Sequence, residues 1–179
     1  MVKRRNIGQI LADEPALPKI FIGDTRWAWF WLIVRIYVGW QWLTAGWEKV
    51  NDPTWVGSQA GVSLSGFLSH AITLATGAHP SVQSWYAWFV QNIVLPQVVV
   101  WSYAVAFGEL LVGVGLVLGI LTGLAAFFGG FMNLNYLLAG SVSINPILLI
   151  LEIGLVLAWK IAGWWGGDRW LLPALSRRP

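Results

Sequence analysis

Residues 98–120 read VVVWSYAVAFGELLVGVGLVLGI, an apolar run interrupted by a single charge, Glu109. As a helix rising 1.5 Å per residue it would extend about 35 Å. That exceeds the roughly 30 Å hydrocarbon core of a bilayer. Lipid offers no water to backbone amides and carbonyls, so such a run must satisfy them internally, as a helix does. Three further runs of this kind lie at residues 27–47, 123–139 and 144–162. Together they predict an all-α fold, a four-helix transmembrane bundle. Composition agrees: 57% of the 179 residues are hydrophobic and 11% charged, with mean hydropathy +0.65. Soluble domains are about 25% charged, and one small core could not bury so much apolar surface. The expected organisation is an N-terminal arm over 1–25, a membrane domain over 26–172 with an outer loop over about 48–97, and a tail over 173–179.

Charge sets the expected orientation. Lys3, Arg4, Arg5, Lys19 and Arg26 precede the first run, and Lys160, Arg169, Arg177 and Arg178 close or follow the last. The long loop carries only Lys49. Basic residues collect on the cytoplasmic side, which predicts a multi-pass protein of the cell membrane with both termini cytoplasmic. The first basic cluster leads into Asp13-Glu14-Pro15, not an apolar run, so no cleaved signal peptide is expected. The basic ends suit anionic lipid, and no nucleic-acid partner is read from them. Fourteen Trp fit a protein with two membrane–water interfaces. Small residues spaced by four, Gly115, Gly119 and Gly123, and before them Ala104 and Gly108, predict close helix packing.

The loop has its own pattern. Leu64, Phe67, Leu68, Ala71, Ile72 and Ala75 recur at helical spacing, as do Val82, Trp85, Tyr86, Phe89 and Ile93. They predict two short amphipathic helices, the second with Pro80 in its first turn and stopped by Pro96. Such helices either seal the bundle or roof a site.

Three ionisable residues fall inside the runs: Arg35, Glu109 and Glu152. Charges in a span mark a pathway, a site or a mutual pair. Counted from the run ends, all three lie about 12–15 Å in from the inner side, which predicts that Arg35 meets Glu109 or Glu152 in one polar centre. A carboxyl there could exchange a proton with quinone; alternatively the pair fixes helix register. Asn133 and Asn135 add polar groups, though two residues apart on a helix they cannot both face one site. Asn145-Pro146 would open the last helix, with Asn as its cap. Glu48 and Lys49 end the first run at the outer interface, where Lys49 could attract an anion, and Trp42 is an aromatic candidate for the site. No Cys is present, and His70 and His79 both fall in the loop, so neither can sandwich a haem between spans. No haem, metal or flavin site is evident.

The stretch Arg35-Ile-Tyr-Val-Gly-Trp-Gln-Trp-Leu-Thr-Ala-Gly-Trp-Glu-Lys49, the stretch from Gly108 to Gly119, Asn133-Leu-Asn-Tyr-Leu-Leu-Ala-Gly-Ser-Val-Ser-Ile-Asn-Pro146, and Gly167-Asp-Arg169 resemble the DoxX family, and within it the DoxD-like branch. The resemblance implies a four-helix membrane protein linked to redox metabolism, similar to the membrane subunit of thiosulfate:quinone oxidoreductase. It implies quinone as co-substrate and a second redox subunit as partner. Membrane lipid and a second copy of the chain are further expected partners. A non-catalytic module that binds quinone or lipid, or anchors a redox partner, is the alternative.

Overall fold

The computed structural model describes residues 16–176. Lys3, Arg4, Arg5, Arg177 and Arg178 lie outside the described residues, as does most of the expected arm. Among the described residues the regular structure is helical and includes no strand. Helix α1 (Ala16–Gly23) enters α2 (Ala28–Asn51) through a short 3-10 turn capped by Asp24. The Arg26 guanidinium beside Asp24 holds that carboxyl below the usual carboxylate range. Then come α3 (Val62–Thr73), α4 (Ser84–Phe89), α5 (Val98–Leu118), α6 (Thr122–Leu138), α7 (Asn145–Leu157), α8 (Trp159–Ala162) and α9 (Asp168–Ser176).

Four helices, α2, α5, α6 and α7, pack as an up–down–up–down bundle. The tightest seam joins α2 to α5. A Cβ at Gly46 would lie 2.3 Å from the Leu110 amide nitrogen, and one at Gly113 would lie 2.4 Å from that of Leu43. The opposed backbones are in contact, so only glycine fits. The four-residue spacing singled out other glycines. Of these, Gly115 packs against Ala125 and Gly123 against Trp159, while Gly119, close to Gly166, also has φ +67 and ends α5 as a left-handed cap.

Charge and apolarity are inverted relative to a soluble core. Arg35, Glu109, Asn133, Glu152 and Asp168 are buried, while Ile33, Leu111, Phe127, Phe131, Ile150 and Leu157 are exposed. Among the described residues, one continuous helical run, Ser84–Leu118, is long and apolar enough to cross a membrane; α7 is apolar but has 13 residues.

The loop helices form as expected in kind and differ in detail. Leu64, Leu68 and Ala71 of α3 pack against Val82, Tyr86, Val90 and Val94. Trp85 and Ile93, expected on the packed face, are exposed. The packed residues recur every four positions, which outruns a 3.6-residue turn, and the wider π turn at Val90–Val94 absorbs the difference. Pro96 does not stop the helix. It sits in the first turn of a 3-10 segment, Leu95–Gln97, where its missing N–H leaves no gap in the bonding, and the chain continues into α5. Nor does Pro80 open α4, which begins at Ser84. Asn145 does not cap α7: it is the first helical residue, and its side-chain amide donates to Ser141 O at 2.9 Å. The run expected over 144–162 is broken at Ala158, which separates α7 from α8.

Candidate functional site

Helical side chains lean toward the N-terminus of their own helix. Because α2 and α5 are antiparallel, Lys49 leans back into the bundle while Glu109 leans outward to meet it. Lys49 Nζ lies 2.7 Å from Glu109 Oε2. The Glu109 side chain is 1% exposed and that of Lys49 20%, so the pair straddles the wall of the bundle. Tyr136 of α6 donates a short hydrogen bond to the other oxygen of Glu109. Lys49 also sits 5.1 Å over the Trp55 ring.

A second carboxylate lies deeper. Glu152 accepts from Trp42 Nε1 at 2.5 Å and from Asn133 Nδ2 at 2.7 Å. Gly129 makes the room: a Cβ there would stand 2.7 Å from Glu152 Oε1 and 3.1 Å from Trp42 Nε1. Trp42 stacks on Tyr136, with ring centroids 6.4 Å apart, which connects the two carboxylates through aromatic contact. Asn133 Oδ1 is buried without a partner. Beside these groups is a cavity of about 430 Å³ lined by Trp42, Glu48, Lys49, Glu109 and Tyr136, with Ser141, Ser143 and Asn145 at its rim.

Sequence reasoning placed Arg35 in this centre, and the structure does not. Arg35 donates to Leu116 O at 2.6 Å, Val117 O at 3.2 Å and Trp165 O at 3.2 Å. It forms no ion pair with Glu109 or Glu152. Depth was counted from Trp27, but the first turns of α2 extend past the α5–α6 turn and are covered by Phe21, Ile161 and Ala162. Arg35 therefore stands level with Gly119. Glu109 is ten residues back toward the start of α5, about 15 Å away, and the two side chains lean in opposite directions. Asp168 completes the region around Arg35. Its carboxylate accepts from Leu121 N at 2.7 Å and Thr122 N at 2.9 Å, capping α6 from far along the chain. Leu121 is held at φ +50, an unfavoured conformation for a side chain with a Cβ, by that cap.

Of the other candidates, Asn135 lies apart from the carboxylates. Its side-chain amide donates to Phe131 O, and its main-chain carbonyl accepts from Tyr86 OH at 3.0 Å. Glu48 is exposed at the cavity mouth. Sequence reasoning missed Tyr136, although it follows Asn133 by three positions and so shares its helix face. It also assigned no role to Asp168, whose partners are distant in sequence.

Among the described residues, fold and site together define an all-helical protein with large apolar side chains on its exterior and a carboxylate-lined cavity that opens at one end. The DoxX family model matches residues 30–141. The chain belongs to the DoxX family, whose members are membrane-associated. No curated protein and no solved structure matches it.

Proposed function

We propose that this chain is the membrane subunit of a quinone-linked oxidoreductase of the DoxD-like type, and that quinone binds at Lys49, Glu109 and Tyr136. The observation that carries the reading is a buried carboxylate held between a cation and a hydroxyl on the wall of an open cavity. A quinone site needs donors for the ring oxygens and a route for protons. The Lys49 ammonium and the Tyr136 hydroxyl are donors, and Glu109 bonds both and can exchange protons with them. Thiosulfate or a related sulfur anion as electron donor rests on the resemblance to the DoxD-like branch. The chain has no Cys, and its buried polar centre consists of groups that move protons, so electrons would arrive through a partner subunit. The same feature favours the alternative, a quinone-binding module that anchors such a partner.

Four crossings, by α2, α5, α6 and α7 with α8, belong to the same reading. The exposed apolar belt supports them. So do exposed Trp residues at both ends, Trp29, Trp165 and Trp170 at one and Trp47, Trp85 and Trp88 at the other. In this reading both termini are cytoplasmic, which the distribution of basic residues along the sequence supports. With no native Cys, Ser84→Cys and Leu175→Cys report topology directly. A membrane-impermeant thiol reagent added to intact cells should label the first and spare the second; the reverse pattern overturns the orientation.

Function is tested with purified protein and any co-purifying subunit, by quinone binding and by thiosulfate-dependent quinone reduction. Saturable quinone binding that Glu109→Gln weakens supports the site. Absence of binding in the folded wild type overturns it.

A further inference from the structure

An apolar cavity of about 150 Å³ adjoins the polar one. Phe67 and Tyr136 line both, and their rings, edge to face with centroids 6.0 Å apart, stand at the border of the two spaces. Tyr136 turns its hydroxyl toward Glu109 on the polar side while its ring borders the apolar space. The far end of that space is closed by buried Leu68 and Val90 of the loop helices. Its near end is bordered by Trp101 on α5 and Phe131 on α6, both exposed on the flank of the bundle. The slot therefore opens sideways, between helices, rather than along the bundle axis.

Resting on the quinone reading above, we propose that this slot takes the first part of a prenylquinone tail, entering from the bilayer past Trp101 and Phe131, with the ring beyond the Phe67–Tyr136 pair. Two chemically opposite, adjoining spaces suit an amphiphile with a compact polar head and an apolar chain. Charge selects the head. The polar cavity presents Glu48 and Glu109 against a single cation, Lys49, already bonded to Glu109. An anionic phosphate would meet net repulsion there, whereas a neutral quinone ring offers only acceptors. A neutral quinone head with its apolar tail suits the pair of cavities, and the anionic head of a phospholipid does not. The loop helices α3 and α4 thereby acquire a role, since they form the closed end of the slot.

The test uses full-length protein in phosphatidylcholine nanodiscs. It compares two photoreactive quinones, one with a diazirine on the ring and one with it on the first isoprene unit, and a phospholipid bearing the same group on an acyl chain. The ring probe is expected to label the peptide carrying Lys49 or that carrying Tyr136. The tail probe is expected to label Leu68, Val90 or Val105, with excess unlabelled prenylquinone suppressing both. Val105→Phe, which fills the mouth from a partly buried position, should abolish tail labelling yet leave labelling by a tailless ring probe intact. Phe131→Trp, at an exposed position, serves if that variant does not fold. Ring labelling in the polar cavity with tail labelling outside the slot overturns the tail assignment and leaves the quinone site standing. Slot labelling by the phospholipid that quinone does not suppress overturns it in favour of an acyl chain. No suppressible ring labelling overturns the quinone reading as well.

Discussion

Two regions of the bundle bury charge, and they do so differently. At the end of the bundle that holds the α5–α6 turn, Arg35 and Asp168 direct their hydrogen bonds to main-chain groups: the carbonyls that end α5, the carbonyl of Trp165, and the amides that begin α6. Toward the opposite end, Lys49, Glu109, Tyr136, Trp42, Glu152 and Asn133 bond chiefly to one another, around a cavity. Helix ends leave backbone donors and acceptors without partners, so charges that satisfy them are committed to the fold. Charges that satisfy one another beside open space can change partners when a ligand enters. The kind of partner, more than burial itself, separates a structural charge from one available for chemistry.

The largest expected effect is at Arg35. Arg35→Leu removes the donor to three carbonyls and should destabilise the protein by about 3 kcal/mol or more, at about 1–3 kcal/mol for each buried acceptor left unmet, read as early unfolding in detergent. A folded Arg35→Leu that loses only quinone binding would erase the distinction between the two regions. Next is Glu109→Gln. It leaves Lys49 without its counter-charge, at about 1–3 kcal/mol, but Gln keeps the shape. The expected outcome is a folded protein without proton-coupled quinone reduction, and unchanged turnover removes Glu109 from the mechanism. Tyr136→Phe deletes one hydroxyl while keeping the ring that stacks on Trp42. It should cost about 1 kcal/mol of stability, with a larger proportional loss in quinone affinity; equal losses in both would make Tyr136 a packing residue. The smallest effect is expected for Glu152→Gln. The Gln oxygen can still accept from Trp42, and its amide can donate to the unpartnered Asn133 Oδ1 once the Asn133 amide turns over. The melting temperature should change little. A collapse of the fold would show that the deeper site requires a charge.

Much of the fold was legible in the sequence. The long apolar runs at 98–120 and 123–139 match α5 and α6 closely, because a helix of apolar residues is decided locally by backbone bonding and burial. The loop helices were legible from their spacing, while their ends were not: Pro96 was read by its usual effect in an isolated helix, and here it falls where a π turn and a 3-10 segment have already changed the bonding. Among site residues, Glu109, Glu152 and Asn133 stood out as charges or polar groups inside apolar runs, Lys49 as a charge at the end of the first run, and Trp42 as an aromatic candidate. Their grouping did not. The predicted partner of the carboxylates was Arg35, whereas Glu109 takes Lys49 and Tyr136, and Glu152 takes Trp42 and Asn133.

Sequence alone determined an all-helical chain with charges placed inside its apolar segments, since both follow from which residues stand next to one another along the chain. Tertiary structure alone decided which charges meet. That depends on the antiparallel register that Gly46 and Gly113 set between α2 and α5, and on each side chain leaning toward its own helix N-terminus. Together these carry Arg35 to the end of α5 and bring Lys49 onto Glu109. A register shift of one helical turn, about 5.4 Å, exceeds the reach of a hydrogen bond, and local sequence does not encode the height at which two distant segments pack.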